Sequence, residues 1–65
     1  MNLEEIQGQE VKVFLTNGVK LIGKIEDIKD NGFLLIRDND YQFVFLQAVA
    51  TIMPIVTEYI KDKQV

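Results

Sequence analysis

Cysteine and histidine are absent from this 65-residue chain, and serine is missing from it too. Without cysteine there is no disulfide and no thiolate zinc site. Without histidine the commonest remaining transition-metal ligand is gone, so no metal or other cofactor is expected. The three absences together remove the usual nucleophile–base pairs of covalent catalysis. The carboxylates that remain sit mostly in turns or at exposed positions, and we expect no enzyme. No apolar run approaches the roughly 20 residues that cross a bilayer. Met1-Asn2-Leu3-Glu4-Glu5 lacks the basic and apolar regions of a signal peptide. The expectation is a soluble, cytoplasmic protein with no membrane partner. A formal net charge of −3 and a pI near 4.7 also argue against a broad basic surface gripping nucleic acid by salt-dependent contacts. A local basic ring or a stacking pocket is compatible with that charge.

What is present is apolar and periodic. Hydrophobic residues make up 48% of the chain. A domain of this size buries only roughly 60% of its unfolded surface, so it is marginal alone. With disulfides and metals excluded, oligomerisation is the remedy left open. Leu3-Glu4-Glu5-Ile6 suits a short helical turn or two, with Asn2 as N-cap and acids in the first turn, ended by Gly8. From Glu10 the period becomes two. Val11, Val13 and Leu15 point one way, and Lys12, Phe14 and Thr16 the other. Asn17-Gly18 follows, a strong hairpin signal whose residues both tolerate the positive φ of a type I′ turn.

The second strand is expected over Val19 to Ile28, long for so small a domain, and Gly23 in its middle marks a sharp bend or a close backbone approach. Asp30-Asn31-Gly32 and Asp38-Asn39-Asp40 read as turns. They bracket a third strand at Phe33–Arg37, and Tyr41–Leu46 and Val49–Met53 follow as the fourth and fifth, the last stopped by Pro54. Five closely spaced strands, one bent at a glycine, indicate a small antiparallel barrel. We expect one domain over residues 1–65, with its core at 10–54 and a tail or short helix at 55–65.

The run Val13-Phe14-Leu15-Thr16-Asn17-Gly18-Val19-Lys20-Leu21-Ile22-Gly23-Lys24-Ile25-Glu26 resembles the first Sm motif of Hfq, the bacterial Sm-like RNA chaperone family. Asp30 and Phe33-Leu34-Leu35 continue it, with one extra residue near Lys29. Val44-Phe45-Leu46-Gln47-Ala48-Val49-Ala50-Thr51 occupies the second motif, where the family typically reads Tyr-Lys-His-Ala-Ile-Ser-Thr. The resemblance covers about two thirds of the chain. It implies a mostly β, Sm-like (SH3-like), strongly bent five-stranded antiparallel barrel with a short N-terminal helix. It also implies a homo-oligomer, a hexameric ring closed by pairing of the fourth and fifth strands of neighbours. Six copies at −3 each would make a ring of −18.

The resemblance also carries site residues. On the distal face, which takes adenine-rich single-stranded RNA, the matching positions are Phe14, Gly18, Val19, Lys20, Leu21, Gln42 and Thr51. Their chemistry is apt. Phe14 can stack on a base, Gln42 can pair with an adenine edge, with Thr51 assisting, and Lys20 can meet a phosphate. The bland reading of Phe14, Val19 and Leu21 is core or interface, and that of Lys20 and Gln42 is a solvated strand. Ile22 stands where the family commonly has a polar residue.

The proximal pore matches less well. Its candidates are Asn31, Phe45, Leu46 and Gln47, but Leu46-Gln47 replaces the family's Lys-His, and Gly32 stands where a stacking aromatic is usual. At the rim, Glu4, Glu5, Ile6, Gln7 and Gly8 occupy the place of an arginine patch. The implied function is an RNA chaperone and post-transcriptional regulator. A ring that serves as a protein-interaction scaffold is the alternative, and an SH3-like peptide-binding monomer the third reading. Asp38-Asn39-Asp40 lacks the spaced ligands of a calcium loop. Glu26-Asp27 would point to opposite faces and cannot easily share a substrate.

Overall fold

Alternation of apolar and polar residues organises residues 3–55, the part that the computed structural model of the chain describes. Five strands form: β1 (Glu10–Leu15), β2 (Lys20–Glu26), β3 (Gly32–Arg37), β4 (Asp40–Phe45) and β5 (Val49–Pro54). Their spatial order is β4-β3-β2-β1-β5, every neighbouring pair antiparallel. Val11 and Val13 on β1, Ile25 on β2 and Phe33 on β3 are fully buried, and Leu35, Val44 and Ile6 complete the core. Each such side chain contributes roughly 1.5–3 kcal/mol by leaving water. The inward set on β1 is the expected one, with Leu15 half-buried at its end.

Gly23 is what lets the sheet bend. A Cβ there would lie 2.7 Å from the Ile36 carbonyl oxygen and 3.0 Å from Leu35 Cγ. No side chain fits, so β3 crosses close over β2, and pairing between them begins only at Lys24. The first half of β2 therefore pairs with β1 alone and diverges from β3. That divergence opens a groove described below.

Three local details differ from the sequence reading. The Asn17-Gly18 turn is a three-residue loop, Thr16-Asn17-Gly18. The Leu15 amide donates to the Val19 carbonyl at 2.8 Å, and the Gly18 amide to the Leu15 carbonyl at 3.0 Å. Gly18 is the one loop residue at positive φ, +91°. Asn17 instead accepts from the Val19 amide through Oδ1 at 3.0 Å, an Asx contact that fixes the loop. β2 stops at Glu26 rather than Ile28, because Asp27 takes φ 49° and turns the chain. The N-terminal element is a four-residue 3₁₀ helix, Leu3–Ile6; its expected cap, Asn2, lies outside the described residues.

That helix is fastened to the sheet through backbone. The Gly8 amide donates to the Ile25 carbonyl at 2.7 Å, and the Ile25 amide to the Gln9 carbonyl at 3.1 Å. These contacts drop Ile6 into the core. A second 3₁₀ turn, Leu46–Ala48, joins β4 to β5. The expected tail or helix at 55–65 falls, past Ile55, outside the described residues. None of the described helices is long and apolar enough to cross a membrane.

Candidate nucleic-acid interface

Register places the candidate residues in two groups. Phe14 pairs with Lys20 on one side and with Thr51 on the other, so Thr51, Phe14 and Lys20 form one row across β5, β1 and β2. Phe14 is half-buried in that row, while Lys20 and Thr51 are exposed. Gly18 and Val19 lie in the hairpin that follows, and Val19 is 45% exposed. Leu21 faces the other way, opposite Val13 and half-buried against the core. The bland reading thus describes Leu21 well and Phe14 in part.

Gln42 joins this group through space. The groove opened by the divergence of β2 has a volume of about 530 Å³, and it is lined by Lys20, Leu21, Ile22, Leu35, Arg37, Asp38, Asp40, Tyr41 and Gln42. Two cations and two carboxylates face it, so its net charge is near zero. Donors and acceptors stand side by side, which suits the edge of a base better than a bare phosphate. A second hollow of about 500 Å³ lies against Glu10, Ile22, Lys24, Glu26, Ile36, Arg37 and Asp38. There three carboxylates oppose two cations, an excess that repels phosphate.

Asn31, Phe45, Leu46 and Gln47 meet at the opposite end of β3 and β4. Phe45 pairs with Gly32, and the Leu46 amide donates to the Asn31 carbonyl at 2.9 Å. Phe45 is 51% exposed, and Gln47 is exposed on the 3₁₀ turn. None of the four carries a charge. Gly32 leaves no space above itself, because a Cβ there would run into the Phe43 ring and the Val44 carbonyl. Phe43 packs edge-on against Phe45, with ring centroids 5.2 Å apart and planes at 76°. An aromatic therefore covers the place that Gly32 leaves empty, and it belongs to β4.

Tyr41 and Arg37 are the residues that sequence reasoning passed over at the groove. Tyr41 is 72% exposed, although an aromatic at a strand start reads as core. The available signal was the Asp38-Asn39 turn, since a two-residue loop sets Arg37 opposite Asp40 and Tyr41 opposite Ile36. At the rim position, Glu4, Glu5 and Gln7 are exposed and Ile6 is buried. Among the described residues no group of acidic side chains is placed to hold a metal ion.

Known proteins resemble this chain in sequence and in architecture. The family model for the Hfq protein matches residues 2–61. The RNA-binding protein Hfq of Bartonella bacilliformis is 41% identical over 54 residues, covering 80% of this chain and 68% of its own length. That of Rhizobium etli is 39% identical over 54 residues, covering 83% and 68%. A crystal structure of the pleiotropic translational regulator Hfq superposes with a TM-score of 0.75 at 25% identity, covering 82% of this chain and 83% of that one. With the bent sheet, the N-terminal 3₁₀ helix and both Sm-like motifs in place, the chain belongs to the Hfq family.

Proposed function

We propose that this protein is a ring-forming RNA-binding protein that takes single-stranded, A-rich RNA on the face carrying Phe14, Gly18, Val19, Lys20, Gln42 and Thr51, with Leu21 behind it against the core. In this reading it acts as an RNA chaperone and post-transcriptional regulator. The observation that carries the reading is the Thr51–Phe14–Lys20 row beside a groove that contains Gln42. Phe14 supplies a stacking surface, Gln42 an amide that matches the donor–acceptor edge of adenine, and Lys20 a charge for the backbone. Membership of the family supports the general activity.

The edges of the sheet support the ring. β4 and β5 end the sheet, and each presents a row of backbone groups to solvent. Unpaired edges invite association, and head-to-tail pairing of β4 with a neighbour's β5 satisfies both at once by closing a ring. Phe45 at 51% and Met53 at 47% exposure are apolar surface that such pairing would cover. Light scattering after size exclusion should give a mass near six times 7.5 kDa; a monomer would sink the ring.

Fluorescence anisotropy against A-rich and U-rich oligoribonucleotides at physiological salt tests the RNA reading. A-rich binding that Phe14→Ala weakens, with poor U-rich binding, is the expected result. A confirmed ring that binds neither RNA would overturn it. In that case the scaffold reading gains, since the exposed Phe43 and the acidic charge suit a protein partner better than RNA.

A further inference from the structure

The chain carries two Asn-Gly pairs, Asn17-Gly18 and Asn31-Gly32, and the fold treats them oppositely. An asparagine side chain followed by glycine is open to attack by the glycine's own amide nitrogen, because no Cβ shields that nitrogen. In sequence the two pairs are equivalent. Gly32 begins β3, is buried and pairs with Phe45. The Phe43 ring and the Val44 carbonyl fill the space where its Cβ would stand. The Leu46 amide holds the Asn31 carbonyl at 2.9 Å, and the Lys29 amide holds the Gly32 carbonyl at 2.7 Å. That pair is clamped on both sides. Asn17 and Gly18, by contrast, are exposed in the loop between β1 and β2, and nothing lies within 4 Å of the place a Gly18 Cβ would take. The Val19 amide donates to Asn17 Oδ1 at 3.0 Å. This contact folds the carboxamide back along the Gly18 peptide and polarises the oxygen on which charge builds during attack.

We infer that Asn17-Gly18 is a self-modification site, at which the Gly18 amide nitrogen closes on Asn17 Cγ and the carboxamide becomes a carboxylate. A bond forms between the Gly18 nitrogen and Asn17 Cγ, the Cγ–Nδ2 bond breaks, and the amide proton leaves with that nitrogen as ammonia. Water then opens the cyclic imide at one of its two carbonyls and leaves aspartate or isoaspartate at position 17. Water is the only co-reactant, and nothing is oxidised or reduced. The Gly18 amide must first leave the Leu15 carbonyl, to which it donates at 3.0 Å. Local opening of the hairpin therefore sets the rate, and alkali raises it by removing the amide proton. Each event adds one negative charge to the −3 of the chain, in the loop that leads into Lys20. The consequence for binding rests on the RNA-binding face proposed above: there the new carboxylate repels the phosphate that Lys20 meets.

The purified protein, kept for days in neutral or mildly alkaline buffer, is digested briefly with trypsin and read by mass spectrometry. Cleavage after Lys12, Lys20, Lys29 and Arg37 puts the two pairs on separate peptides, residues 13–20 and 30–37. In the folded protein peptide 13–20 should gain the amide-to-acid mass, faster in alkali, while peptide 30–37 stays unchanged; in the chemically unfolded chain both should convert. An unchanged peptide 13–20, or equal conversion of both peptides in the folded protein, overturns the site. Asn17→Asp should weaken A-rich binding by anisotropy about two- to fivefold, the scale of one exposed charge contact, and Asn17→Ser should not. Should Asn17→Asp misfold, aged wild type separated by charge gives the same reading without a substitution. Conversion of peptide 13–20 with unchanged binding by the charged form upholds the site and overturns its effect on RNA. If wild type binds no RNA, the proposed function falls, and the mass reading still decides the site.

Discussion

The two ends of the β3–β4 pair offer a ligand opposite chemistries. At the hairpin end, Lys20, Arg37, Gln42 and Tyr41 combine charge, amide and ring around an open groove. At the other end, Asn31, Phe45, Leu46 and Gln47 are uncharged, and Phe43 has closed over Gly32. One end keeps a concave, polar site. The other keeps aromatics but packs one of them against the backbone. In the proposed acidic ring RNA would be held where local stacking and hydrogen bonding outweigh repulsion, and only the hairpin end adds cations to those groups.

The contrast depends first on the fold that sets the ends apart. Phe33→Ala removes a fully buried ring and should cost about 3–5 kcal/mol, read as a large fall in thermal midpoint that abolishes both ends together. Gly23→Ala puts a Cβ against the Ile36 carbonyl and should cost about 1–3 kcal/mol. Its effect should fall mainly on the groove, so chemical denaturation and A-rich binding should both weaken; an unchanged midpoint would show that β3 moves aside freely. Phe14→Ala should weaken A-rich binding by about 1–3 kcal/mol, whereas Gln47→Ala, at the exposed turn of the other end, should leave it within a factor of two of wild type.

A gain of function sharpens the comparison from the other side. Replacing Leu46 and Gln47 together by Lys and His should raise U-rich affinity by about 1.5–3 kcal/mol, the scale of a charge-assisted hydrogen bond, without altering A-rich binding. No gain in U-rich anisotropy would mean that the packed Phe43 blocks that end whatever its charge. The smallest effect belongs to the Lys29–Asp27 contact of 3.5 Å, exposed at both partners. Lys29→Ala should change stability by less than about 0.5 kcal/mol in a denaturation curve.

Alternation made most of the sheet legible in the sequence. Within β1, Val11 and Val13 are buried on either side of half-buried Lys12, and within β3, Phe33 and Leu35 on either side of half-buried Leu34, the period of two that a strand requires. The hairpin at Asn17-Gly18 was placed correctly and its length was not. Asn-Gly serves two-residue and three-residue loops, and the choice rests on whether Phe14 or its neighbour meets Lys20 across the strands. The expected β2 runs one residue early and two residues late, because Val19 and Ile28 are apolar flanks and Asp27 leaves the strand by a backbone turn that its side chain does not announce. The groove was not legible at all. It exists because Gly23 admits β3 at one point and lets it part from β2 at the next, which joins residues from three strands. Tyr41 escaped notice for the same reason, since aromatic residues in strands are usually buried and only the open side of the groove leaves this one exposed.

The 3₁₀ turn Leu46–Ala48 has a reach beyond its three residues. Its first amide is held by the Asn31 carbonyl, and its last carbonyl by the Thr16 amide at 2.8 Å. It is a short strut, pinned at both ends, between the two open edges of the sheet. Strut length and pinning fix the angle between those edges. In a ring, that angle is the wedge each subunit subtends, and the wedge determines how many copies complete the circle. In the proposed ring the count of subunits would follow from that angle, and a residue inserted at the middle of the turn would change the circumference before it changed the core.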